Sequence, residues 1–280
     1  MKYLLIGITI LYTTFSFSQT TEQGYFFGGF ESNSQWLLYD KGLNFEQPDD
    51  AFRANNYLQL SYAYKNFTAG VQYESYLPDA LLGYSTAFSN GNGVATYYIN
   101  YKNEKVDVTG GYFYDQFGSG LIFRSWEERQ LGINNAIKGV RIKYNPTNYL
   151  DFTALYGQQR IGFELSEGVL QGFDANIDIS QGLSIESIDI KMGASYVGRY
   201  QDVGAQLELP SNVNVVGGRL DVVKGNFYGG LEVASKSKDA LFFEGQLVSP
   251  KLYDGTAPVS YTHLRAHETP EHLVCRLLLE

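Results

Sequence analysis

Residues 94–115 read VATYYINYKNEKVDVTGGYFYD, two strands and the link that joins them. Ala95, Tyr97, Ile99 and Tyr101 alternate with Thr96 and Asn100. Past Lys102-Asn103-Glu104, Val106, Val108, Gly110, Tyr112 and Tyr114 alternate with Asp107, Thr109, Gly111 and Asp115. Neighbouring residues of a strand point to opposite faces, so this period of two builds one apolar face and one polar face.

The pattern extends in both directions, six times between Asn56 and Gly157. In 67–76, Phe67, Ala69, Val71 and Tyr73 oppose Thr68, Gly70, Gln72 and Glu74; in 150–157, Leu150, Phe152, Ala154 and Tyr156 oppose Asp151 and Thr153. The connectors alternate in length. Lys65-Asn66, Lys102 to Glu104 and Asn145 to Asn148 are short, whereas Leu77 to Gly93 and Gln116 to Ala136 are long. A transmembrane β-barrel sorts its connectors in this way, with tight turns at the periplasmic end and longer loops outside.

Charge placement gives the faces a direction. Glu74, Asp107, Asp115 and Asp151 share the polar face, with Arg141 and Lys143 between them. A charge turned toward lipid costs on the order of 2–4 kcal/mol at mid-bilayer in the worst cases. Several such charges would exceed the stability of an ordinary domain. In a soluble β-sandwich the same two faces would be core and solvent, so alternation alone leaves both architectures open.

Composition narrows the classes. The chain has 280 residues, 23 Tyr and 18 Phe but only 2 Trp, and a formal net charge of −9. Tyrosine, apolar along its ring and polar at its tip, suits the interfacial girdles of outer-membrane barrels. An acidic chain without a basic stripe makes nucleic acid a poor partner. Residues 1–18 read as a secretory signal: Lys2, an apolar stretch from Tyr3 to Tyr12, and small residues at Ser16 and Ser18 before Gln19. From Met1 to Thr262 there is neither histidine nor cysteine, which removes Ser-His-Asp and Cys-His catalysis, histidine-ligated zinc and structural disulfides from that span. No enzyme activity, cofactor or metal is expected.

Later strands are less regular. Phe173 to Ser180 and Ser184 to Tyr200 flank Gln181-Gly182-Leu183, and Lys224-Gly225-Asn226 joins Val213–Val223 to Phe227–Ser235. Lys236 to Asp239 then reads as a short link where a long one is due, before Ala240 to Val248. The count reaches eleven strands with a doubtful twelfth. After Pro258 the alternation gives way to a Leu- and charge-rich mix that holds His263, His267, His272 and Cys275. The string SYTHLRAHETPEHLVCRLLLE (260–280) resembles a translated sequencing adapter, and residues 258–280 are expected to be a non-native tail rather than a metal site.

The segment with most chemistry is Gly111 to Gly139. It leaves its strand through Phe117-Gly118-Ser119-Gly120 and carries Arg124, Trp126, Glu127, Glu128 and Arg129. One reading folds it into a barrel lumen as a charged constriction; the other leaves it outside as a loop held by Arg–Glu pairs and a packed Trp126. Glu127 and Glu128 as a glycosidase pair fit poorly, since sequence neighbours splay apart. Asp40, Glu46, Asp49 and Asp50 lack the spacing of a calcium loop.

With Arg53-Ala54-Asn55-Asn56-Tyr57, Gly70 to Tyr76 and Leu155 to Arg160, this segment resembles an exported Bacteroidota family of unknown function over residues 20–257. The resemblance implies an outer-membrane β-barrel and carries over no activity. Members run further, which implies an incomplete barrel over 19–257. The expected protein is therefore an antiparallel up-and-down transmembrane β-barrel in the cell outer membrane, in contact with outer-membrane lipid. It would serve as a passive pore for a small polar solute or as a structural platform. The competing expectation is an exported β-sandwich that binds glycans or a protein partner.

Overall fold

The computed structural model describes residues 23–39, 42, 51–84, 86–88, 91–202, 209–243 and 246–264. The expected signal segment, Asp40, Glu46, Asp49, Asp50, His267, His272 and Cys275 lie outside the described residues.

The chain forms β1 (Tyr25–Trp36), β2 (Phe52–Tyr64), β3 (Phe67–Ser75), β4 (Asn92–Lys102) and β5 (Val106–Phe113). Four short strands follow within one connector: β6 (Asp115–Phe117), β7 (Phe123–Ser125), β8 (Glu127–Glu128) and β9 (Ile133–Asn134). The long strands then resume as β10 (Ile137–Thr147), β11 (Leu150–Ile161), β12 (Glu164–Asp178), β13 (Asp189–Tyr200), β14 (Asn212–Lys224), β15 (Phe227–Phe243) and β16 (Gln246–Leu264). One helical turn, α1 (Ile179–Gly182), sits between β12 and β13.

The twelve long strands form a single antiparallel sheet in chain order, β1-β2-β3-β4-β5-β10-β11-β12-β13-β14-β15-β16, while β6-β7 and β8-β9 are separate hairpins. A sandwich needs two facing sheets; among the described residues there is one large sheet. Its end strands β1 and β16 are not paired with each other, so the described sheet is not closed.

The two faces differ as the alternation predicts. Ala69, Ile99, Gly110, Val140 and Tyr156 succeed one another across β3, β4, β5, β10 and β11. Ile99 is 57% exposed and Tyr156 60%. The opposite face carries a row of Asp107, Lys143, Thr153, Asp174 and Ser195 across β5, β10, β11, β12 and β13. Thr153, Asp174 and Ser195 are buried. A sheet that exposes its apolar side chains and buries its polar ones is inverted relative to a soluble fold.

The polar face is concave. Arg160 on β11 meets Glu74 on β3 at 2.6 Å, although β4, β5 and β10 lie between those strands. Four strand spacings span about 19 Å in a flat sheet, beyond the reach of the two side chains. The sheet must therefore wrap.

Four sequence expectations need correction. Lys236 to Asp239 is not a link: it lies inside β15, where a register shift against β16 disturbs the alternation and Lys236 pairs with Asp239 at 2.7 Å. Ala240 to Val248 is accordingly not one strand but the end of β15 and the start of β16. Ser184 does not begin β13: Asp178 caps α1 by accepting from the Gln181 N–H at 2.9 Å, and the strand starts at Asp189. Finally, the sequence places a break at Pro258, yet β16 continues through it to Leu264, paired with β15. An edge strand tolerates proline because a missing N–H can face away from the ladder.

Candidate functional site: the concave face and its inward loop

The connector from Tyr114 to Ala136 lies against the concave face. Phe117 is 1% exposed and packs with Phe113, Phe123, Ile137, Leu155 and Val197, a core assembled from β5, the loop, β10, β11 and β13. Two strand glycines shape its seat. A Cβ on Gly172 would stand 3.0 Å from the Phe117 ring, and one on Gly217 would stand 2.3 Å from Ile122 Cδ1. Glycines inside strands mark places where another group approaches closely, and these two form bare sockets for the loop. Farther across, the Ser119 N–H donates to Glu232 on β15 at 3.2 Å. The loop thus lies against the concave face, and it also contains the Arg129–Glu127 pair and the packed Trp126 of the other reading.

One polar cluster centres on Glu74. Arg160 Nη1 and Nη2 donate to its two carboxylate oxygens at 3.0 and 2.6 Å, Gln72 Nε2 donates at 2.8 Å, and the Tyr76 hydroxyl donates at 2.8 Å. Arg160 Nε also donates to the Gly162 carbonyl at 2.5 Å. Glu74 and Arg160 are 0% and 1% exposed. A buried pair needs such additional bonds, because removing two charges from water is costly unless every lone pair and proton is matched. Burial, reinforced by the Glu74 charge, pushes the Tyr76 hydroxyl far above the ordinary tyrosine range. Tyr76 also packs against Tyr57, Tyr84, Phe88 and Phe163, so this cluster anchors the 3–4 connector as well.

Glu127 and Arg129 extend the cluster from the loop side. Glu127 accepts from Asn134 at 3.1 Å and from Gln72 at 3.3 Å, and pairs with Arg129 at 3.3 Å. Arg129 lies 4.4 Å from the Tyr57 ring centre and reaches Glu31 on β1. Desolvation pulls the Arg129 guanidinium down, but Glu127 and Glu31 outweigh it and hold the group above its ordinary value.

A second cluster joins Arg141 to Asp107 at 3.2 Å and Asp115 at 3.5 Å, with Lys143 to Asp115 at 2.9 Å. A third joins Arg219 to Asp174 at 2.8 Å, Ser195 to Asp174 at 2.5 Å, and Asn176 to Asp174 and Asp151 at 2.8 Å each. Two cavities flank the seated loop. One of about 530 Å³ is lined by β2 to β5 with Glu127, Arg129 and Arg141. The other, about 300 Å³, is lined by Asp115, Lys143, Asp151, Asp174 and Arg219 among others.

The sequence candidates thus divide. Glu74, Glu127 and Arg129 share one network; Asp107, Asp115, Arg141 and Lys143 share another, and Asp151 joins the third. Arg124 and Trp126 stack on each other, 4.0 Å from guanidinium to ring centre, while Glu128 accepts from the Gln130 N–H. No contact of these three places them at a constriction. Sequence reasoning missed Arg160, Asp174, Ser195, Arg219 and Glu232 as wall residues. Asp174, Arg219 and Glu232 were findable as single charges within otherwise alternating strands.

Among the described residues no group of His, Cys, Asp and Glu is arranged to hold a metal ion. No helix among them is long and apolar enough to cross a membrane. A family model described as "Family of unknown function (DUF6029)" matches residues 1–266, beyond the 20–257 of the sequence resemblance at both ends. The crystal structure of a BenF-like porin from Pseudomonas fluorescens Pf-5 aligns at 10% identity with a TM-score of 0.35, covering 75% of this chain and 66% of the porin. No curated protein matches.

Proposed function

We propose, for a chain that belongs to the DUF6029 family of unknown function, an outer-membrane β-barrel protein without catalytic activity, whose polar interior admits a small polar solute past an inward loop. The observation that carries this reading is the inversion of the sheet: large apolar side chains stand exposed on the convex face, while ion pairs are buried on the concave one. Water would penalise that convex face; hydrocarbon would solvate it. The wrapped, chain-ordered, antiparallel topology is the one an up-and-down barrel requires.

In this reading the Phe117 core and the Glu74–Arg160 pair hold the 114–136 loop across the interior, leaving a cavity on either side. Solute would pass or lodge along those polar walls rather than through a wide channel. The protein should fractionate with the outer membrane and show heat-modifiable migration when extracted in detergent. Recovery only as a soluble periplasmic protein would overturn the proposal.

A further inference from the structure

The larger cavity points to a solute class, on the reading of the concave face as a barrel interior. We infer that the cavity of about 530 Å³ between β2–β5 and the inward loop is a binding site for a neutral polyhydroxylated solute of mono- to disaccharide size, with the Tyr98 ring as its stacking platform.

Three observations carry this. The wall is built chiefly from neutral hydrogen-bonding side chains, Gln59, Thr68, Gln72, Thr96, Asn100 and Thr109. Of the five charged lining residues, four form ion pairs, Arg141 with Asp107 and Arg129 with Glu127, and Lys102 is the fifth. Amides, hydroxyls and paired charges outnumber the single extra cation and offer many donors and acceptors in several directions, which suits a molecule rich in hydroxyl groups.

The third observation is the platform. Gly70 and Tyr98 are directly opposed on β3 and β4. A Cβ on Gly70 would stand 2.5 Å from Tyr98 Cε1 and 2.8 Å from Cζ, so the ring lies over the bare glycine backbone. Tyr98 also lines the cavity. An aromatic ring laid against a wall offers its face to the apolar C–H side of a sugar, while the surrounding amides and hydroxyls bind the rim. The volume falls within the roughly 300–1,000 Å³ of small-ligand sites.

Saturation-transfer NMR on the full chain in detergent micelles tests this, with maltose and sorbitol against glucose 6-phosphate and glucosamine as probes. Transfer to maltose and sorbitol is expected, at least fivefold stronger than to the charged analogues. Tyr98→Ala should lower maltose affinity at least fivefold. Gly70→Val, which lifts the ring off the wall, should do the same, whereas Tyr97→Ala on the convex face should leave binding unchanged. Should Gly70→Val fail to fold by circular dichroism, Tyr98→Ala decides alone. Equal binding by Tyr98→Ala and the parent, or preference for a charged probe, would overturn the assignment. Outer-membrane fractionation of the same preparations separates the two ideas: a membrane-located protein that ignores polyols sinks the solute class and leaves the barrel standing.

Discussion

Arg160 and Arg219 each bind a carboxylate on the concave face, yet they occupy different physical settings. Arg160 and Glu74 are sealed from solvent and join strands separated by three others. Arg219 and Asp174 are separated by β13 alone, keep 11% and 6% exposure, and border the smaller cavity. The first pair ties a wrapped sheet across its interior and clamps both long connectors; the second is part of a wall. Because attraction and desolvation both grow as water is excluded, the same chemistry should act as a lock in one place and as lining in the other.

That contrast can be broken by mutation. Glu74→Ala strands a buried guanidinium and should cost about 3–5 kcal/mol in unfolding free energy, read from urea unfolding in micelles. Replacing both partners, Glu74→Gln with Arg160→Met, should cost clearly less than the sum of the single changes. Phe117→Ala empties the socket formed with Leu155 and Gly172, and should cost roughly 3 kcal/mol. It should also expose the loop to proteolysis.

Asp174→Asn keeps the shape of the third cluster while removing its charge, and should cost about 1–3 kcal/mol. A loss as large as that of Glu74→Ala would erase the distinction between lock and lining. The smallest effect belongs to Lys191, 56% exposed beside Asp178 and Asp189: Lys191→Met should change stability by under about 1 kcal/mol. The lock should also respond to alkali. Folded Tyr76 stays protonated above the pH at which an unfolded tyrosine ionises, so its contribution is complete below about pH 10 and declines as pH rises further. Urea unfolding should therefore show a shallower alkaline decline in Tyr76→Phe.

Much of the sheet was legible because its signal is local. The period of two in 67–76, 94–113 and 150–157 marks both faces without knowledge of any partner strand, and it assigns Glu74, Asp107 and Asp151 to the face where they are found. Asp115, read as the end of the same strand as Asp107, lies instead in the β6 hairpin beyond Phe113. Arg160 was not legible for a definite reason. Its strand alternates through Thr153, Leu155 and Gly157, which would turn residue 160 outward, but the register against β12 shifts between Gln158 and Arg160 and brings Arg160 in. Lys236 to Asp239 misled in the same way, since a register shift inside a strand resembles a turn in sequence. The inward path of the 114–136 loop depends on Gly172 and Gly217, whose meaning appears only when remote strands meet the loop.

As the wall of an outer-membrane barrel, this sheet would turn its convex face to lipid and its concave face away from it. Single spin labels at Ile99, Ile142 and Leu220, compared with labels at Thr68, Thr96 and Gln59, test it most directly in reconstituted vesicles, with Cys275 replaced by serine. Oxygen dissolved in lipid should relax the first set strongly and a water-soluble nickel chelate should not, with the order reversed for the second set. Equal access of the nickel chelate to Ile99, Ile142 and Leu220 would contradict it.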